Sequence, residues 1–152
     1  MTARLVMNAN PAVLRNTDKI SLAAENIMQH RCRRLPVVDE DGKYIGVFGI
    51  NCLLRLVLPR ALVMEKGLDN ASFVKTDLKD LHQRFIKHMD EPVTVCMAED
   101  VRTISPDTPL AETLRILYNH KGSLPVVDPK DGKFCGVVTY WDVGAAILAA
   151  EV

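Results

Sequence analysis

A chain of 152 residues, 48% hydrophobic and 25% charged, has the make-up of an ordinary globular domain or of two small interlocked halves. Its 19 basic and 19 acidic residues cancel, so no global field favours a nucleic acid, and 5% aromatic residues are too few for a base-stacking platform. Cys32, Cys52, Cys96 and Cys135 form no C-x-x-C pair and no zinc-ligand spacing, the opening "MTARLVMNANP" has no signal-peptide pattern, and the apolar runs "CLLRLVL" and "GAAILAA" are too short to span a bilayer.

A reducing, cytoplasmic setting away from membranes is therefore expected, with the cysteines as free thiols. In chain order, a short extended piece, "AVLR", comes first. Ile20, Ala23, Ala24 and Ile27 then recur at helical spacing, with Asp18 near the start, where a carboxylate suits the helix dipole. Two β-rich runs, "LPVV" and "YIGVF", are joined by "DEDG", whose glycine points to a hairpin. A second helix, "INCLLRLVL", follows. Between Pro59 and Val95, Thr76 or Asp77 is a helix cap. Leu78, Leu81, Phe85 and Met89 make one apolar stripe, and Pro92 stops it. His82 and His88 are six apart, on different faces, and are poor metal partners.

The first pattern then returns. "MNANPAVLRNTDKI" from Met7 aligns with "MAEDVRTISPDTPL" from Met97 at an offset of 90, and "LPVVD" recurs at Leu35 and Leu124 at an offset of 89. The second copy has an extended "RTIS", a helix with Leu110, Leu114 and Leu117 behind Asp107, "LPVV" and "FCGVV" joined by "DPKDG", and a closing helix "YWDVGAAILA". The expected fold is mixed α/β (α+β): two β-α-β-β-α repeats, 1–60 and 95–152, related by a pseudo-two-fold, with a helical connector at 61–94. Neither half can bury its sheet and helices alone, so the pair is one folding unit.

The copies diverge after their last glycines. "GVFGINC" stands where "GVVTYWD" stands in the second copy. In the latter, Thr139 and Asp142 fall on one side of a first helical turn, where a carboxylate can accept hydrogen bonds from two vicinal hydroxyls. The same Thr-x-x-Asp is close to a helix-capping arrangement, and both readings stay open at this stage. Gly49 and Cys52 offer no such pair. A basic run, "HRCRR" from His30 to Arg34, precedes only the first LPVVD. The second has "HKGS", whose His120 and Lys121 read as a helix end.

The repeat, its "PVVD…GK…G" core and the closing "GVVTYWD" resemble the cystathionine β-synthase (CBS) domain, two copies of which form a pair. The resemblance covers roughly residues 5–60 and 95–150. It implies a regulatory, non-catalytic module that binds AMP, ADP, ATP or S-adenosylmethionine in a cleft between the repeats, with no obligatory cofactor and one competent site per chain. It carries the G-x-x-[ST]-x-x-D ribose motif onto Thr139 and Asp142, the phosphate onto Arg33, with Arg34 or Arg31 beside it, and the adenine near Ala12 and Cys32. A homodimer and an effector protein are the implied partners. The alternative is a ligand-free CBS-pair assembly module docking on a partner protein. Nothing in the sequence supports an enzyme: there is no nucleophile–base pair, metal cluster or glycine-rich phosphate loop.

Overall fold

The structure, a computed structural model, describes residues 1–59, 76–120 and 122–150. Residues 61–75 of the expected connector, and Lys121, lie outside them. The first repeat runs β1 (Leu14–Arg15), α1 (Ile20–His30), β2 (Arg34–Val38), β3 (Tyr44–Gly49) and α2 (Ile50–Val57). The second runs α4 (Leu110–His120), β4 (Leu124–Val127), β5 (Phe134–Val138) and α5 (Tyr140–Ala149), after the connector helix α3 (Leu78–His88). This is the mixed α+β, twice-repeated order expected from the sequence.

Each repeat is built on an antiparallel hairpin, Leu35 opposite Phe48 in one and Leu124 opposite Val138 in the other. Gly42 and Gly132 close the hairpins at φ of 79° and 76°, a region that a Cβ makes costly. The Asp39 carboxylate stabilises the first turn by accepting from the Asp41 and Lys43 amides, at 2.9 Å each. The first extended pieces are shorter than expected. β1 lies parallel to β2 for two residues, and its counterpart shrinks to one bridge, Ile104 to Val126. Pro106, two residues beyond Ile104, has no N–H with which to extend a ladder. Asp18 and Asp107 do not cap helices. Asp18 accepts from the Arg15 amide at 2.8 Å, and Asp107 pairs with Arg4 at 3.2 Å.

The pseudo-two-fold is written in the backbone. Asn8 bridges to Val137 as Ala98 bridges to Val47, Thr2 to Pro109 as Pro92 to Lys19, and Lys43 to its own equivalent, Lys133. The Tyr44 amide donates to Gly132 O and the Phe134 amide to Gly42 O, both at 3.0 Å. These contacts explain two glycines. A Cβ on Gly136 would lie 2.5 Å from Asn8 O, and one on Gly46 would lie 2.7 Å from Ala98 O.

The cores are exchanged in the same way. The short 3-10 turn Ala3–Leu5 puts Ala3, with Val6 after it, into the second repeat's core beside Leu117, Leu124 and Val138. Its equivalent Val93–Val95 puts Val93, with Cys96, into the first repeat's core beside Leu14, Ile27 and Phe48. Each repeat's opening turn therefore completes the other's apolar interior, the dominant favourable term in folding.

The connector helix follows its sequence pattern. Asp77 caps it, accepting from the Asp80 amide at 2.9 Å. Phe85 reaches the first core, and Arg84 donates to Val57 O at 3.2 Å, so α3 lies on α2. Among the described residues no helix is long and apolar enough to cross a membrane, and no cluster of three metal-ligating side chains occurs. All four cysteines are free, Cys52 and Cys96 buried; burial pushes the Cys96 thiol up to about 11.

Candidate functional site

A groove of about 810 Å³ runs along the seam between the repeats, within the range of small-molecule sites. Its walls come from equivalent pieces of each half: the opening segment, the run before LPVV, and the strand-to-helix turn. The pseudo-two-fold that pairs the opening segments also brings these pieces to one face.

The second repeat's turn is ordered by its own side chains. Thr139 is the N-cap of α5. Its hydroxyl accepts from the Asp142 amide at 3.1 Å and donates to Asp142 Oδ2 at 2.8 Å. Thr139 lines the groove; Asp142, hydrogen-bonded to it, is not among the lining residues. The capping and ribose readings are thus not exclusive. One carboxylate oxygen orients Thr139, and Oδ1 has no hydrogen-bond partner among the described residues.

The first repeat's turn, Gly49 to Cys52, lines the groove too, but leaves no room for a side chain at its first position. The Ile50 amide donates to Arg33 O at 2.9 Å, and a Cβ at Gly49 would meet that same oxygen at 2.7 Å and Arg34 Cβ at 2.9 Å. Gly49 is therefore more than a threonine that lost its hydroxyl: strand β2 occupies the space a side chain would need. Cys52 beneath it is buried in the first core.

Of the residues expected to hold a ligand, Ala12, Cys32, Arg33, Arg34 and Thr139 all line this one groove. Ala12 and Cys32 also pack against the first core, and burial pushes the Cys32 thiol up, which keeps it uncharged. Arg33 is exposed at the rim.

Arg34 is engaged differently from the free phosphate ligand expected. Its side chain crosses the seam into the second repeat. Nε donates to Ser123 Oγ at 3.4 Å, and Nη2 reaches both His120 Nε2 at 2.8 Å and the Ser123 carbonyl. The absent Cβ of Gly122, 3.0 Å from Nη2, makes room for it. Ser123, the counterpart of Arg34, precedes Leu124, which pairs with Val138 just before the Thr139 turn, and Arg34, Ser123 and Thr139 line the same groove. Burial lowers the Arg34 pKa, yet at this depth the guanidinium stays charged. His120 must have Nε2 unprotonated to accept, and burial, with Arg34 and Arg102 nearby, pulls its pKa below the usual value.

Two groove residues escaped the sequence reading. Trp141, the only tryptophan, stands 88% exposed at the rim. Arg55, from α2, reaches the groove as well. Its sequence signal was available: Arg55 is where the second repeat has Ala145, one turn beyond the Cys52/Asp142 position.

Two β-α-β-β-α halves exchanging their opening turns around a ligand-sized seam define a tandem-repeat module. The CBS domain model matches residues 3–59 and 86–149, and the chain belongs to the CBS domain family as a CBS pair. Among solved structures, the CBS-pair protein CBSX2 from Arabidopsis thaliana is similar over 97% of this chain and 94% of that one, at 25% identity and a TM-score of 0.73. A structure of CBSX2 in complex with AMP covers 97% and 96%, at 25% identity and a TM-score of 0.68. The chain is also 27% identical over 148 residues to an A-adding tRNA nucleotidyltransferase of Aquifex aeolicus (strain VF5), but spans only 14% of that enzyme's length. A 53-residue match to the chloroplastic CBSX2 entails 38% identity over 22% of that protein.

Proposed function

We propose that this CBS pair is a regulatory, non-catalytic module that senses an adenine nucleotide or adenosyl ligand, with one competent site per chain. The ribose hydroxyls bond Asp142 Oδ1 beside Thr139, the adenine lies toward Ala12 and Cys32, and the phosphate faces Arg33. The observation that carries this reading is the contrast between the two turns: in one, Thr139 lines the groove and is oriented by Asp142, whose Oδ1 has no hydrogen-bond partner among the described residues, while in the other no side chain fits at Gly49. That CBSX2 was solved with AMP supports the ligand class.

For a ligand to use Arg34 as well, its phosphate would have to draw the guanidinium from His120 and Ser123. Arg34 then reports occupancy across the seam, which suits a sensor. Thermal-shift measurements against AMP, ADP, ATP and S-adenosylmethionine test the reading. A ligand at one hundred times its dissociation constant should stabilise the chain by about 2.7 kcal/mol. No shift with any of them at millimolar concentration would leave Thr139 and Asp142 as a helix cap only.

The second reading, an assembly module, draws on the helical faces. In the first repeat, α3 lies across α2. In the second, Trp141, Ile147 and Leu148 of α5 and Tyr118 of α4 are 65–89% exposed. A second copy of the chain covers this apolar face in a homodimer, and an effector protein reads the assembly. A 16.9 kDa species in sedimentation at high micromolar concentration would count against the homodimer.

A further inference from the structure

The two repeats turn equivalent helical faces outward, and the faces are shaped differently. On the first repeat, α1 and α2 floor a second groove of about 730 Å³, and α3 is its third wall. Ala24, Met28, Leu53, Leu54, Leu81 and Phe85 make it apolar. The equivalent positions in the second repeat lie 90 residues on, in α4 and α5. There Tyr118 stands in the place of Met28 and Ile147 in the place of Val57, and with Leu148 they are 65–89% exposed. The first face is a hollow and the second an apolar ridge, large enough to call for a cover. The charges differ too. Glu25, which lines the groove, makes no ion pair among the described residues. Its equivalent is Arg115, whose Nε and Nη2 donate to Glu112 while Nη1 has no partner among the described residues.

Two copies joined across these faces by a two-fold axis can meet in two ways. With like faces together, hollow meets hollow around a void, ridge meets ridge, Glu25 is brought toward Glu25 and Arg115 toward Arg115. With unlike faces together, each ridge fills the other copy's groove, and Glu25 approaches Arg115 twice. A void forfeits dispersion contacts and like charges repel, so the second way is favoured. The two-fold makes the contact reciprocal and leaves neither face open. We propose that a second copy binds head-to-tail, the α4–α5 ridge of each chain seated in the α1–α2–α3 groove of the other. This rests on the homodimer of the assembly reading above and adds which faces meet.

Sedimentation of paired variants tests it. Leu54→Glu puts a charge on the groove wall, and Ile147→Glu puts one on the ridge. Each alone should weaken the dimer about a hundredfold or more, because an unpaired charge resists burial. Mixed in equal amounts, the two should associate more tightly than either alone, since the mixed dimer keeps one intact ridge in one intact groove. Glu25→Arg and Arg115→Glu should each weaken the dimer about tenfold, and the double variant should recover wild-type affinity. Leu54 and Ile147 are 44% and 65% exposed in the single chain, so circular dichroism of their variants should match wild type. A wild-type dimer that either charge variant leaves unchanged, or whose Leu54→Glu and Ile147→Glu chains do not rescue each other, overturns the head-to-tail arrangement and keeps the homodimer. Wild type remaining at 16.9 kDa at high micromolar concentration overturns both, and gives groove and ridge to a different protein.

Discussion

The turn Gly49–Cys52 and the turn Thr139–Asp142 occupy equivalent places, each following a hairpin strand and opening a helix on the same groove. They differ in what the neighbouring strand allows. At Thr139 a side chain fits, caps its helix and is held by Asp142. At Gly49 the Arg33 carbonyl and the Arg34 Cβ fill the place of a side chain, and the Arg34 guanidinium leaves its own repeat for Ser123 and His120. The duplicated scaffold is thus kept by backbone pairing, while the two turns carry different chemistry: a hydrogen-bonded Thr139–Asp142 pair in one, arginines beside the other.

The scaffold's equivalence can be broken first, with the largest effect. Phe48 and Val138 are equivalent and both fully buried. Phe48→Ala should cost about 3–5 kcal/mol, and Val138→Ala less, because fewer buried carbons are lost. Denaturant melts should show one shifted transition in each case, since Ala3 and Val93 tie each core to the other repeat. Two separate transitions would show the repeats folding independently.

The difference in chemistry comes next. Asp142→Ala removes charge-assisted hydrogen bonds worth about 1.5–3 kcal/mol, so adenine-nucleotide affinity should fall about tenfold to more than a hundredfold. Cys52→Ala should leave affinity unchanged. Calorimetry showing equal losses would place the ligand in the wrong half. Restoring the motif by Gly49→Thr with Cys52→Asp should create no second site. The new Cβ meets a backbone oxygen at 2.7 Å, and the overpacking should cost about 1–3 kcal/mol. A binding stoichiometry of two in that double variant would show that β2 yields.

The repeats, both hairpins, the span of α5 and the capped connector helix were legible in the sequence because their signals are local: a period of apolar residues, a turn glycine, a cap three residues ahead of its partner. The location of Ala12, Cys32, Arg33 and Thr139 on one groove was legible through the family resemblance. What the sequence could not show depends on the other repeat's approach. The partners of Arg34 come from residues 120–123, and the need for glycine at 46 and 136 arises from the carbonyls of Ala98 and Asn8. Arg55 differs from its repeat partner Ala145 in the sequence alone, but its place on the groove depends on how the two repeats meet. Asp18 and Asp107 lie just ahead of their helices as read, but their hydrogen-bond partners, the Arg15 amide and Arg4, are set by the local turn and the opening segment.

The smallest expected effect concerns the asymmetric contact across the seam. His30 and His120 end equivalent helices, but only His120 accepts from an arginine. Burial lowers the His120 pKa, and the cationic groups facing it, Arg34 from β2 and Arg102 from the segment before α4, lower it further. A proton on Nε2 would remove the acceptor and set a third positive charge beside two guanidiniums. The sign follows from linkage: with the folded-state pKa below the unfolded value of about 6.5, the unfolded chain takes up the proton first. The stabilisation is therefore fully present above about pH 6.5 and is lost as pH falls through the lowered folded-state value. Because His120 is partly exposed, solvent screening keeps the effect small. Melting temperatures from pH 7.5 to 5 should fall more steeply for wild type than for His120→Gln, which keeps a hydrogen-bonding side chain without the titration. The other histidines contribute the same background to both curves. Parallel curves would mean that the proton on His120 is not linked to folding, and that Arg34 is held across the seam by Ser123 alone.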